Sequence, residues 1–175
     1  MSKLSASLIA SAVALAAPCA PAFATILGPH AAACADGADR PAMLVDIIGL
    51  KARTGVLRVQ SYGGDPSRFF DKGTYLERVE VRAPASGPVE VCMPVPRSGA
   101  YAVSVRHDLN GSGKSDLGDG AGMSGNPDVS LMDVIFRRKP SPSKVTVDVK
   151  GVERVRVVMN YVRGTSVGPI PNAKR

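Results

Sequence analysis

The sequence predicts an all-β chain, a single antiparallel β-sandwich of about seven short strands. Three observations lead there. After Met43, apolar and polar residues alternate at period two through most of the chain. Clusters of Gly, Pro, Asp and Ser separate these runs at short spacing. No amphipathic helical stretch, heptad or internal repeat competes with the strand pattern.

The strands are expected in this order. Met43-Leu44-Val45-Asp46-Ile47-Ile48 is the first, and Gly55 to Tyr62 alternates cleanly as the second. Val79-Glu80-Val81-Arg82 and Val89-Glu90-Val91-Cys92-Met93 follow. Ala100 to His107 is the longest unbroken run, and Lys144 to Val149 and Val155 to Tyr161 complete the set. Helical signal is confined to two single turns. In the first, Asp65 takes the N-cap and Pro66 the first helical position, where its missing N–H costs nothing. Ser130-Leu131-Met132-Asp133 is the second.

The first 24 residues read as a cleavable secretory signal peptide. Lys3 supplies the positive start, Leu4 to Ala17 the apolar core, and Ala22-Phe23-Ala24 the small residues before cleavage. A transmembrane anchor is the alternative, but the apolar run is shorter than the roughly 20 residues a bilayer core requires. A lipoprotein would acylate Cys19, where Pro18 stands in place of the expected small residue. Export places the mature chain in the periplasm or outside the cell, with no membrane span, and a monomer is expected. The domain plan is a flexible lead-in over 25–41, the sandwich over 42–163 and a flexible basic tail over 164–175.

Cys34 and Cys92 are the two cysteines left after cleavage. In an oxidising compartment they are expected to form a disulfide; two buried free thiols are the alternative. The formal charge is +7, of which Lys3 leaves with the signal. The basic residues are scattered, and Arg137-Arg138-Lys139 is the one cluster. No basic patch is interleaved with aromatics for base stacking, so nucleic acid is not an expected partner.

One loop carries candidate chemistry. Asp108-Leu109-Asn110-Gly111-Ser112-Gly113 fits the opening of a calcium loop, D-x-[DN]-x-S-G. Oxygens at alternate positions of a tight turn converge on one point. In this reading Asp108, Asn110, Ser112 and Asp116 give side-chain oxygens, Lys114 gives its carbonyl, and Asp119 stands where an EF-hand has its bidentate Glu. Asp119 is shorter than Glu, and no helix is expected on either side. The alternative is a polar turn whose Asp, Asn and Ser side chains cap their own backbone.

The same stretch resembles a known family. Gly99-Ala100-Tyr101-Ala102-Val103 leading into His107-Asp108-Leu109-Asn110-Gly111-Ser112-Gly113-Lys114 is similar to the "GxYAxxxxHDxNGNGK" signature of the bacterial domain-of-unknown-function family 2141. Gly55-Val56-Leu57-Arg58-Val59, with Phe69 downstream, resembles that family's opening strand, and Gly122 to Pro127 its "G-F-S-x-N" element. The likeness runs from about Met43 to Tyr161, with Ser112 where the family commonly has Asn and without its "G-x-P-x-E" segment. It implies an exported immunoglobulin-like or prealbumin-like β-sandwich and implies no enzyme activity.

Catalysis is not expected. Neighbouring residues on a strand point to opposite faces, so His107 and Asp108 are badly placed as a base and its orienter. No H-E-x-x-H, G-x-S-x-G or phosphate-cradling loop occurs. The remaining enzyme reading is a metal-dependent hydrolase on His107, Asp108 and Asp116. The favoured expectation is a non-catalytic module that binds a protein, a glycan or an envelope component through loops at one end of the fold, with calcium as the one candidate cofactor. Tyr62, Phe69, Phe70 and Tyr75 are the only aromatic cluster, either a sugar-stacking or partner surface or ordinary core packing.

Overall fold

The computed structural model describes residues 25–171. The expected signal peptide, residues 1–24, lies outside the described residues, as do residues 172–175. In chain order the strands are β1 (Ile26–Leu27), β2 (Ala42–Ile48), β3 (Val56–Gly63), β4 (Glu77–Arg82), β5 (Glu90–Pro94) and β6 (Gly99–Asp108). After them come β7 (Gly120–Met123), β8 (Val147–Val149), β9 (Val152–Val158), β10 (Asn160–Arg163) and β11 (Ser166–Pro169), with one short helix, α1 (Leu131–Ile135).

Two sheets result. One runs β1-β5-β2-β9, and the other runs β11-β10-β7-β6-β3-β4 with β8 also pairing β6. The second sheet is antiparallel throughout, whereas β1 with β5 and β2 with β9 pair parallel in the first. Alternation decides which side chains meet between the sheets. Met43, Val45 and Ile47 of β2, Val91 and Met93 of β5, and Val155 and Val157 of β9 share one core cluster with Leu57, Val59, Val103, Val105 and Tyr161 of the other sheet.

The first sheet is buried on both faces at β2 and β5, while the outer side of β9 is exposed. The outer side of β2 and β5 carries Ala42, Leu44 and Cys92, covered by Cys34 and the rest of the N-terminal segment. This explains the continuous apolar run at the start of β2, since a strand covered on both faces needs no polar alternation. A 3-10 turn over Ala31–Cys34 brings Cys34 to β5, where it forms a disulfide with Cys92.

Four expectations are corrected here. The segment over 25–41 is not loose: β1, the turn and the disulfide pin it. The expected tail from 164 instead contributes β11, which forms a hairpin with β10 and buries Gly168. The run from Val155 to Tyr161 is not one strand. At Met159, whose N–H donates to the Ile48 carbonyl, the chain leaves the first sheet and enters the second as β10. The single antiparallel scheme of about seven strands therefore becomes eleven strands among the described residues, two of the pairings parallel.

Strand β7 was not expected because Gly120-Ala121-Gly122 lacks β-branched residues. Its glycines are steric. A Cβ on Gly120 would lie 2.4 Å from the Tyr161 ring, and one on Gly122 2.6 Å from Val157 Cγ1. Both single turns form as read. Asp65 caps a 3-10 turn over Pro66–Arg68 by accepting from the Ser67 N–H, and Ser130 and Asp133 form a reciprocal capping box on α1.

Candidate functional site

The C-terminal end of β6, an interior strand, brings the candidate residues to one end of the second sheet. Register against β3 sets Leu57 opposite His107 and Val56 opposite Asp108. His107 continues the inward row of Tyr101, Val103 and Val105 and is 0% exposed. Its Nε2 lies 2.7 Å from the Thr54 carbonyl. A carbonyl only accepts, so Nε2 carries a proton and donates it. Nδ1 lies 2.6 Å from the Tyr161 hydroxyl, which also accepts the Lys51 N–H at 3.1 Å. The hydroxyl proton is thus free to go to Nδ1, giving a chain from Lys51 through Tyr161 and His107 to Thr54. Burial pushes the Tyr161 phenol up to about 12, with the Lys51 N–H opposing and Asp119 reinforcing the shift.

Asp108 points elsewhere. It is 3% exposed, and both its carboxylate oxygens are partnered. Oδ1 accepts the Ser112 N–H at 3.0 Å; Oδ2 accepts the Gly113 N–H at 2.8 Å and Nη2 of Arg106 at 3.1 Å. Arg106 and Asp108 are two residues apart on β6 and so share a face. The guanidinium also donates to Ser115 Oγ at 2.9 Å, which ties it across the loop. Gly55 lets the loop approach β3: a Cβ there would lie 2.1 Å from the Asp108 carbonyl oxygen.

The other predicted ligands are likewise engaged within the loop. Asn110 Oδ1 accepts the Ser112 N–H, and its amide nitrogen donates to Asp116 Oδ2 at 3.0 Å. Asp116 Oδ1 accepts the Gly118 N–H, and Ser112 Oγ donates to the Lys114 carbonyl. Asp119 joins the two limbs, accepting from the Leu109 N–H at 3.2 Å and the Asp116 N–H at 3.3 Å. Such geometry is that of a polar turn capping its own backbone. Among the described residues no group of three or more His, Cys, Asp or Glu side chains is arranged to hold a metal ion. The cation beside Asp108 is Arg106.

The Ser-Gly-Asn element after β7 is also structural. Buried Ser124 accepts the Val103 N–H at 3.0 Å and donates to the Val145 carbonyl, joining β6 to the segment before β8. Asn126 donates to the Arg156 carbonyl and accepts the Val158 N–H, holding the end of β9.

The aromatic cluster offers no open platform. Tyr62 and Phe69 are buried with Ala102 and Val145 on the outer side of the second sheet, and Phe70 packs edge-on to Tyr62 with centroids 5.0 Å apart. Only Tyr75 is exposed, and the Arg78 guanidinium lies 4.4 Å from its ring centre. Of the two readings of this cluster, Tyr62 and Phe69 take the core-packing one, and Tyr75 alone stands at the surface. A cleft of about 330 Å³ opens beside Ile47, Gly49 and Val89. Its polar side chains are already paired, Arg156 with Asp46 and Arg53 with the Gly87 carbonyl.

Sequence reasoning missed Thr54, Tyr161 and Arg106. No spacing rule links His107 to Tyr161, 54 residues away. The Arg106-x-Asp108 spacing on one strand face was the only available sign of the third.

Fold and loop together define a two-sheet β domain with a signature turn closed by its own side chains. The chain belongs to the family DUF2141, described as an uncharacterized protein conserved in bacteria, whose model matches residues 45–156. That span takes in β6, the 108–119 loop and the Ser124–Asn126 element. No curated protein and no solved structure matches the chain.

Proposed function

We propose that this chain is an exported, non-catalytic module of prealbumin-like sandwich type that binds a component of the cell envelope or its surroundings. One observation carries the non-catalytic reading: the two residues best suited to chemistry, His107 and Asp108, are buried with every ring nitrogen and carboxylate oxygen hydrogen-bonded to the fold. A general base needs a free lone pair within reach of a substrate. Here the Nδ1 lone pair faces Tyr161 and Nε2 faces Thr54. Export rests on the Lys3, Leu4–Ala17 and Ala22–Ala24 pattern, and the disulfide is in keeping with it.

The test has two arms. Mature protein is assayed against a panel of ester, glycoside, peptide and phosphate substrates, with and without calcium or zinc, beside His107→Gln. The reading expects no turnover that depends on His107; turnover lost in a folded His107→Gln protein contradicts it. Sedimentation with washed envelope fragments is the second arm, and a chain that stays wholly in the supernatant counts against the binding role.

Calcium is a second reading of the 108–119 loop, favoured by three carboxylates within one turn. It requires the ion to take the place of Arg106 at Asp108, whose oxygens can keep their two backbone amides. A rise in melting temperature at millimolar calcium, absent in Asp108→Ala, supports it. An unchanged melting temperature removes it.

A further inference from the structure

Helix α1 leaves its apolar residues outside. The stretch Leu131-Met132-Asp133-Val134-Ile135-Phe136 is as apolar as a core strand, yet α1 buries none of its residues. Met132, Ile135 and Phe136 are 53%, 56% and 59% exposed. Half of the large exposed apolar side chains of the described residues fall between Met132 and Phe136. Exposure at this density marks a contact surface rather than the scattered apolar surface of any protein.

Both ends of the helix are tied by hydrogen bonds. Its capping box fixes the start, Arg137 at φ 51° ends it, and Lys139 anchors the exit by donating to Asp71 at 2.7 Å and to the Ser67 carbonyl at 3.1 Å. One side of α1 and its exit, with Asp133, Val134, Arg137 and Arg138, lines a cleft of about 230 Å³ against Met123, Val162 and Val167. Met132, Ile135 and Phe136 stand outside that cleft. Two exposed arginines follow them in the chain, Arg138 beside Phe136 and Arg137 at the cleft. Arg138 lies 5.4 Å from the Phe136 ring centre and only 3.9 Å from Asp133, at the limit of an ion pair. Arg137 makes no ion pair among the described residues.

We infer that α1 and the Arg137-Arg138 pair dock the protein on the surface of an anionic phospholipid bilayer. This rests on the envelope-binding reading above and names its partner. Apolar side chains flanked by arginines match the two layers of a membrane interface: Met132, Ile135 and Phe136 enter the acyl boundary while the guanidiniums meet headgroup phosphates. The size of the patch also selects a bilayer. One helical turn falls well short of the roughly 800 Å² per partner of a stable protein interface, whereas interfacial anchoring needs only a few inserted side chains together with charge. The contact is peripheral: no helix among the described residues is long and apolar enough to cross a membrane.

The experiment is flotation of the mature chain with phosphatidylglycerol-rich vesicles and with neutral phosphatidylcholine vesicles, at low and high salt. Binding is expected to the anionic vesicles only and to weaken with salt. Ile135→Gln with Phe136→Gln, and Arg137→Asn with Arg138→Gln, are each expected to weaken it about tenfold or more. Asn at 137 keeps the left-handed backbone accessible. Leu117→Gln removes the most exposed large apolar side chain, 67% exposed, from a site outside α1, and is expected to change nothing. Circular dichroism confirms that each variant is folded. Equal binding to neutral vesicles, or anionic binding untouched by both α1 variants, overturns the assignment. Failure on all vesicles while the chain still sediments with envelope fragments also overturns it and leaves the binding module standing, with a protein or glycan as the partner. Failure on both removes the envelope reading itself.

Discussion

Tyr161 and His107 meet across 54 residues of chain, and each satisfies a buried polar group that water cannot reach. His107→Ala would orphan the Thr54 carbonyl and the Tyr161 hydroxyl and leave a cavity. We expect a loss of about 3 kcal/mol or more, read from urea unfolding. Ser124→Ala removes the acceptor of the Val103 N–H and the donor to the Val145 carbonyl, with an expected cost of about 2 kcal/mol or more. Tyr161 also sets an alkaline limit. Its phenol is raised from 10.0 to about 12, chiefly by burial. The unfolded chain therefore loses this proton first. The stability tied to it is complete below the unfolded value and is lost as pH climbs through the folded one. Urea midpoints should fall between pH 10 and 12, and Tyr161→Phe should flatten that fall. An equally steep fall in Tyr161→Phe places its cause elsewhere.

Individual elements were legible in the sequence to different degrees. Strands β3 and β6 keep an inward apolar row along most of their length, so period two located them within a residue or two, although Tyr62 and Ala102 are also buried on the outer face. The two capped turns were legible because Asp65-Pro66 and Ser130-x-x-Asp133 carry their own local hydrogen bonds. Strand β7 was not, because its glycines answer to Tyr161 and Val157, distant in sequence. Nor was the break at Met159, where Val157-Val158-Met159 is apolar throughout and carries no turn residue while the chain changes sheets. The 108–119 loop was half legible. Its residue types suit both an ion and its own backbone N–H groups, and only the position of Arg106 shows that a cation is already in place at Asp108. At this scale Arg106→Gln should loosen the loop and speed amide exchange at Ser112 and Gly113. Unchanged protection there would mean that the amides alone hold Asp108.

For the whole molecule, the Cys34–Cys92 bridge closes 58 residues of chain and fixes the N-terminal cover over the first sheet. On the chain-entropy model, replacing both cysteines by alanine should destabilise by about 4 kcal/mol. A change below about 1 kcal/mol would show that the cover holds without it. Export should yield a chain beginning at Thr25, read directly from the intact mass of the secreted product; an intact Met1 in the exported protein would remove the signal reading. The central claim is that the signature turn after β6 is closed by its own side chains. Thermal unfolding of the whole mature chain and of Asp108→Ala, each with calcium and with chelator, tests it most directly. The account predicts that Asp108→Ala lowers the melting temperature by the same several degrees in both media, because amides and Arg106 lose their acceptor whether or not an ion is present. A variant as stable as the parent in chelator, and destabilised only in calcium, would contradict it.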